Sequence, residues 1–122
     1  MINIDIKGIP AVTKFLKGKA KNVGIQLKKG IVKSSVFLQG EVKSSIAGQR
    51  AEHISVDTGR FLNSVGFQVS DLSGQVFSRL PYAGKLEYGT DFKNSPRKHF
   101  RNSADRSKNK IKNIIKKEVQ YI

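Results

Sequence analysis

The stretch from Ser55 to Thr90 constrains the fold most, because it combines turn residues and alternating strand patterns with little net charge. We call it the central block. Residues 65–70 alternate apolar and polar side chains, residues 71–74 have turn chemistry, and residues 76–80 carry a second apolar run. Two strand patterns joined by a short turn predict a β-hairpin.

A first strand is expected at the amino end. Residues 1–7 alternate isoleucine with polar side chains, which is the period-two pattern of a strand with one buried face. Pro10 follows in a position that suits the first turn of a helix, where its missing N–H costs nothing.

A long amphipathic helix is predicted next, because apolar and small residues recur in steps of three and four. This stripe comprises Val12, Leu16, Ala20, Val23, Leu27, Ile31, Ser35, Leu38, Val42 and Ile46. Lysines occupy the other faces. Glycine weakens a helix by about 1 kcal/mol relative to alanine, so we expect a kink or break near Gly24 or Gly30.

A surface loop is expected over residues 47–55, and a short helix through Phe61, Leu62 and Val65 should follow, with Asp57 or Thr58 as its cap. The second hairpin strand should end at Pro81. A one-turn helix is predicted from Tyr82 to Tyr88, with Tyr82, Ala83 and Leu86 facing inward and Gly89 ending it.

A last helix is predicted after a basic loop at residues 92–100, with Asn102 or Ser103 as its cap. Its apolar positions are Ala104, Ile111, Ile114, Ile115, Val119 and Ile122. The expected fold is therefore α+β: a single domain over residues 1–122, with a small antiparallel sheet of the amino-terminal strand and the hairpin, packed against a long first helix and a carboxy-terminal helix.

The charge is unevenly distributed. The chain has 23 basic and 9 acidic residues. Residues 7–50 carry 10 basic and 1 acidic residue, residues 91–122 carry 10 and 3, and residues 51–90 carry 3 and 4. Positive flanks around a neutral centre suggest an acidic partner, either nucleic acid or an electronegative protein surface. Lysines that simply solvate two helices are an alternative explanation.

The residues argue against most catalytic chemistry. His53 and His99 are far apart and lack other ligands at metal-binding spacing, and the chain has no cysteine. The E-x-K spacing of Glu41 and Lys43 falls on a predicted helix, where the two side chains diverge. Gly-rich phosphate loops and long apolar runs are also missing. We therefore expect a soluble protein made in the cytoplasm that needs no metal or cofactor and is not an enzyme.

Two motifs of the central block have both a structural and a functional interpretation. Residues 57–60 could form a binding loop, but a helix cap at a turn explains them better. Glu87 could lie in a site, but pairing with Arg60, Arg97 or a lysine of a neighbouring subunit is favoured. Four aromatic side chains are expected in the core: Phe67, Phe77, Tyr82 and Tyr88.

Taken together, three successive motifs resemble a family of small tailed-phage proteins, the gene-product-ten-like minor tail or neck components. The motif residues are Val56, Asp57, Thr58, Gly59, Arg60 and Ser64, then Tyr82, Ala83, Leu86, Glu87, Tyr88, Gly89 and Thr90, then Pro96, Arg97, Lys98, His99 and Phe100. The match covers about residues 55–105. His99 stands where the family usually has proline, and Phe61 where it usually has leucine.

The resemblance implies a virion protein of a tailed phage or prophage, without catalysis, that acts in head-tail joining or tail completion. It implies a homo-oligomeric ring in the neck, in contact with portal-side or tail-tube proteins, with the loop from Asp91 to Arg101 against a neighbouring ring. Positive helices could contact DNA in the lumen non-specifically. No membrane partner is expected.

The alternative is a basic nucleic-acid-binding module. Such a module should interleave aromatic residues with basic ones for base stacking. The expected burial of the four aromatic side chains speaks against it.

Overall fold

A computed structural model describes residues 2–7, 21–52, 54–55, 59–70, 73–89 and 96–120. It confirms the α+β fold. The elements in chain order are β1 (Ile2–Lys7), α1 (Lys21–Ile46), α2 (Arg60–Ser64), β2 (Gly66–Ser70), β3 (Ser73–Ser78), α3 (Ala83–Tyr88) and α4 (His99–Gln120).

The sheet has three strands in the order β1-β3-β2, and both pairings are antiparallel. The first strand and the hairpin were thus predicted correctly. The hairpin connection is shorter than predicted, because Ser73 and Gly74 already belong to β3 and Ser73 pairs with both Lys7 and Ser70. The backbone ladder, rather than the turn residues alone, sets the start of the strand.

Side chains of β3 alternate between buried and partly buried along the whole strand. Gly74, Val76 and Ser78 form the buried row. Gly74 lies so close to α1 that an added Cβ would overlap the Ser35 hydroxyl and approach Ile31 Cγ2 to 3.2 Å. Glycine at this position therefore lets the helix lie directly on the sheet.

α1 buries the predicted stripe wherever its side chains are described: Leu27, Ile31, Ser35, Leu38, Val42 and Ile46. Val12, Leu16 and Ala20 lie outside the described residues. The predicted break near Gly24 or Gly30 is wrong, because α1 runs through both. Gly30 instead faces α4, where an added Cβ would lie 3.2 Å from the Ile115 Cα. The glycine allows a close helix contact whose packing offsets its low helix propensity.

α4 packs along α1 and begins at His99, earlier than predicted. Asn102 and Ser103 lie inside the helix, so neither is its cap. The buried residues of α4 are His99, Phe100, Ser103, Ser107 and Ile115, while Ala104, Ile111, Ile114 and Val119 are partly exposed. Ile122 lies outside the described residues.

The core has two parts. The larger cluster combines α1 with Phe61, Val65, Val76, Ala83 and Phe100, and the smaller one joins Leu27 and Ile31 to Ile115. Among the described residues, no helix is long and apolar enough to cross a membrane.

Three of the four aromatic residues expected in the core are exposed, so that prediction is wrong. Phe67 and Tyr82 are 37% exposed and Tyr88 is 60% exposed, whereas Phe77 is partly buried. Tyr82 was also wrongly expected to face inward from α3. The buried positions of α3 are Ala83 and Glu87, one turn apart, and Leu86 packs partly buried against the core as predicted.

Candidate functional site

Glu87 on α3 holds the start of α4. Its side chain is 1% exposed, and its two carboxylate oxygens accept the N–H groups of Phe100 and Arg101 at 2.9 and 3.0 Å. Arg101 also donates from Nε to the same carboxylate at 3.0 Å. A carboxylate suits a helix N-terminus, where unpaired N–H groups and the helix dipole both favour negative charge. The prediction that Glu87 pairs with Arg60 or Arg97 is wrong, because its ion-pair partner within the chain is Arg101.

His99 lies fully buried between two serine hydroxyls. Its Nδ1 is 2.7 Å from Ser45 Oγ, and its Nε2 is 2.7 Å from Ser55 Oγ. Ser45 donates its hydroxyl proton to Glu52, so Ser45 must accept from the His99 Nδ1–H and Nε2 must accept from Ser55. Burial lowers the pKa of His99, which favours this neutral ring.

Glu52 links the loop after α1 to α4. Arg106 donates to both of its carboxylate oxygens at 2.7 Å, and Asn102 donates at 3.1 Å. These hydrogen bonds lower the pKa of Glu52 to about 2, and the bond from Arg106 has the largest effect. The loop was predicted as an aperiodic surface segment, but its glutamate side chain is only 4% exposed.

Arg97, in the segment before α4, hydrogen-bonds both α3 and the loop after α1. Its backbone N–H donates to Leu86 O at 2.7 Å, and its Nη1 donates to Ile54 O and Ser55 Oγ at 3.2 and 3.1 Å. Pro96 beside it is exposed.

We call the set Ser45, Glu52, Ser55, Glu87, Arg97, His99, Arg101 and Arg106 the polar junction. It joins the end of α1, the following loop, α3 and the start of α4. Ser55 and His99 have the hydrogen bond of a nucleophile and its base, but the ring is 0% exposed and both of its nitrogens are already used within the junction. The described arrangement can therefore hold α1, the loop after it, α3 and α4 in contact. It offers no open position for a reacting group.

The structure brings only some predicted site residues together. Glu87 and Arg97 belong to the polar junction, and Phe100 is a core residue beside it. Ser64 bonds to Phe61 O and Ser78 Oγ at 2.6 and 2.7 Å.

The other predicted site residues lie at the surface or at chain reversals. Gly59 and Gly89 both have a φ of 79°, which favours glycine. Arg60 is exposed, and Tyr82 meets Phe61 edge-on at 6.0 Å. Asp57, Thr58 and Thr90 lie outside the described residues. The cap predicted at Asp57 or Thr58 is wrong, because Gly59 occupies the N-cap position of α2.

Sequence reasoning missed Ser45, Glu52, Ser55, Arg101 and Arg106. Glu52 and Arg106 are 54 positions apart, so no local spacing could have paired them. His99 was considered as a metal ligand and as a departure from the resembled family, but not as part of a buried hydrogen-bond network. Its position beside Pro96 and Arg97 was the one available signal that this segment had a special role.

Comparison with protein-family models, with curated proteins and with solved structures finds no match to this chain.

Proposed function

We propose that this chain is a structural virion protein of a tailed phage or prophage, acting in head-tail joining or tail completion as a ring subunit of the neck. The resemblance of its three motifs supports the proposal. The polar junction agrees with it. Of the motif residues, Glu87 contacts the start of α4 and Arg97 contacts the loop after α1, and neither lines an open pocket of the described structure.

The observation that carries the proposal is the pair of sheet edges. Within the described residues β3 is the central strand, so β1 and β2 each have one edge without a neighbouring strand. Phe67 on β2 is also 37% exposed. Unpaired edges are a liability in a monomer and a ready pairing surface in an assembly.

The two edges are different surfaces, and this difference determines the symmetry of an assembly in which they pair. Pairing β2 of one subunit with β1 of the next is a head-to-tail contact, which generates a ring when the rotation closes. Basic helices around such a ring would tolerate DNA passing through its lumen.

Native mass spectrometry of the full chain, alone and mixed with the other neck proteins, tests the ring. We expect a closed oligomer that Phe67→Lys weakens, since a lysine on an edge strand opposes pairing. Asn109→Lys is the matched control, because it adds the same charge at an exposed position of α4. A chain that stays monomeric under all these conditions would contradict the proposal.

A phage carrying a deletion of the gene tests the role directly. We expect filled heads and finished tails that fail to join, or tails with faulty completion, and restoration by the wild-type gene. Normal infectious particles would rule out the proposed role.

The exposed aromatic residues favour a second candidate, a basic nucleic-acid-binding module. Exposed side chains recur every three residues from the N-cap of α3 to its end, at Tyr82, Lys85 and Tyr88. The Arg101 guanidinium lies 4.5 Å from the Tyr88 ring centre. Exposed aromatic rings beside basic groups can stack bases of a single strand. This removes the argument from aromatic burial against the alternative.

A salt titration of binding to oligothymidine tests the second candidate. If it is correct, affinity falls steeply with salt, and Tyr88→Ala weakens binding by about 1–3 kcal/mol through lost stacking. Lys108→Ala controls for the loss of one exposed charge on α4. Equal losses in both variants would indicate non-specific attraction only.

A further inference from the structure

The outer face of α1 carries a line of exposed apolar side chains. Ile25, Val32 and Val36 are 55%, 37% and 48% exposed, and their spacing of seven and four residues places them on one side of the helix. The opposite side of α1 is already buried against α4 and the sheet. Scattered apolar residues need no explanation, but an aligned set on one helix marks an interaction surface.

Lysines border this line and make its charge distinctive. Lys28, Lys29 and Lys33 join Ile25 and Val32 in lining an open groove. Lys33 pairs with Glu118, whereas Lys28 and Lys29 form no ion pair with any described residue. We call Ile25, Lys28, Lys29, Val32 and Val36 the α1 outer face. Its centre is apolar and its borders are positive.

The face continues smoothly past Val36. Gly40 lies one turn further along the same side, and an added Cβ there would meet nothing within 4 Å. From Ile25 to Val36 the line spans about 16 Å at 1.5 Å per residue, which equals about three helical turns. This length and the low relief at Gly40 suit a second helix lying along α1.

A second copy of this chain does not complement the α1 outer face. Two such faces would bring lysines together, and like charges in contact oppose association. The chain also offers few free carboxylates: among the described residues, Glu41, Glu52, Glu87 and Glu118 are already paired with basic groups. Asp105 is left as a single exposed acidic residue on α4.

We propose that the α1 outer face is a docking site for an acidic amphipathic helix of a partner protein. Apolar residues of that helix cover Ile25, Val32 and Val36, while its flanking carboxylates lie over Lys28 and Lys29. Nucleic acid fits less well, because aliphatic side chains have no planar face on which bases can stack. Docking of such a helix at the α1 outer face does not require that the chain form a neck ring.

A fluorescent synthetic peptide of about 20 residues serves as the probe, a length at which a leucine- and glutamate-rich sequence can form a helix. Its leucines lie on one helical stripe and its glutamates border that stripe. Titration of the full chain into this peptide, at about 150 mM salt to limit long-range attraction, is followed by fluorescence anisotropy. We expect saturable one-to-one binding and no comparable binding of a scrambled peptide of the same composition.

Two variants and a matched control locate the site. Val32→Asp and the double change Lys28→Glu with Lys29→Glu should each weaken binding by roughly tenfold or more, typical of a central contact. The lysine double variant should also gain affinity for a peptide in which lysine replaces glutamate. Lys108→Glu with Lys112→Glu changes the net charge equally at exposed positions of α4 and should leave binding almost unchanged.

Several outcomes would overturn the proposal. Equal weakening by the α1 and α4 charge variants would assign binding to net charge alone. Dimers of the free chain that Val32→Asp dissociates would make a second copy the occupant. Displacement of the peptide by anionic vesicles or by duplex DNA would assign the face to that ligand, if the same α1 variants also lose binding to the vesicles or the DNA. Circular dichroism and thermal melting establish that each variant is folded, and a folded Val32→Asp variant with unchanged peptide affinity would also reject the site.

Discussion

At the residue scale, the side chains of the polar junction satisfy one another's hydrogen bonds, mostly across long sequence separations. Glu87 accepts three N–H groups, Glu52 accepts from Arg106, Asn102 and Ser45, and His99 uses both ring nitrogens. Removing one partner from such a set leaves the other buried and unpaired, which costs more than the net value of the bond. Substitutions in the polar junction should therefore act on stability more than surface substitutions do.

Glu87→Gln should destabilise the fold by about 2–3 kcal/mol. An amide keeps the shape but replaces one acceptor oxygen by a donor, which would face either the Phe100 N–H or the Arg101 donors. Urea unfolding at neutral pH measures the loss.

Glu118→Gln is the control for Glu87→Gln. Its partner Lys33 is 61% exposed, so the loss should stay below about 1 kcal/mol. Similar losses in the two variants would show that Glu87 does not hold the start of α4 as described.

Acid should destabilise the protein in two steps. The folded pKa of His99 lies below its ordinary value of 6.5, so the unfolded chain binds the extra proton first and stability falls as the pH drops through that value. Glu52 has a folded pKa of about 2 against 4.5, so its stabilisation is present above 4.5 and is lost as the pH falls towards 2. Urea unfolding across this range measures both steps.

Two variants separate the steps. His99→Gln should flatten the first step and keep the second, and Glu52→Gln should reduce the second and keep the first. If His99→Gln left the pH profile unchanged above pH 4.5, His99 would not be the group responsible.

At the element scale, small residues set how closely α1 approaches its neighbours. Gly30 faces α4 and Gly74 faces α1 from the sheet, and both leave no room for a larger side chain without movement. Interiors packed at this density respond to a single added methyl group. Ser34 and Ser107 are further small residues on the buried sides of α1 and α4, and among the described residues their hydroxyls have no hydrogen-bond partner.

Gly74→Ala should destabilise the protein by about 1–3 kcal/mol through overpacking. The new Cβ overlaps Ser35 Oγ, which donates to Ile31 O at 2.8 Å and is therefore not free to turn away. Adding Ser35→Ala should recover much of the loss, because the Ser35 Cβ lies 3.7 Å from the new methyl group. A double-mutant cycle of unfolding free energies measures the coupling.

Ser34→Ala is the matched control for that rescue. It removes a neighbouring buried hydroxyl that does not face Gly74, so it should stabilise both backgrounds equally and show no coupling. Equal rescue by both serine substitutions would mean that Ser35 Oγ is not the obstacle.

At the scale of the whole molecule, uncompensated positive charge dominates. The chain carries a net charge of +14, while the described residues form four ion pairs. A large net charge keeps a protein soluble but destabilises the compact state by self-repulsion. Salt screens this repulsion at separations beyond about 10 Å at 0.1 M ionic strength.

Sodium chloride should therefore raise the melting temperature. From about 0.05 to 0.5 M salt we expect an increase of several degrees, since about 1 kcal/mol shifts a domain of this size by roughly 4–8 °C. Thermal melting followed by circular dichroism measures it. Lys108→Glu with Lys112→Glu, which lowers the net charge at exposed positions, should reduce the increase; a melting temperature that falls with salt would show that ion pairs outweigh repulsion.

The sequence by itself determined the elements of this protein. Period-two isoleucines predicted β1, alternation around a turn predicted the hairpin, and steps of three and four residues predicted α1 and α4. These patterns are local, because an element that buries one face must repeat its apolar residues at its own period. The buried stripe of α1 from Leu27 to Ile46 follows directly from them.

Only the tertiary structure decided the polar junction and the surfaces left open. Glu52 meets Arg106, and His99 meets Ser45, across 54 positions of sequence, and nothing local encodes such pairs. Phe67 and Tyr88 look like core residues in the sequence, yet both side chains are exposed. Gly30 and Gly74 look like breakers until the neighbouring helix is in place. The physical reason is the same throughout: burial and pairing depend on what lies opposite, and folding alone brings that neighbour into contact.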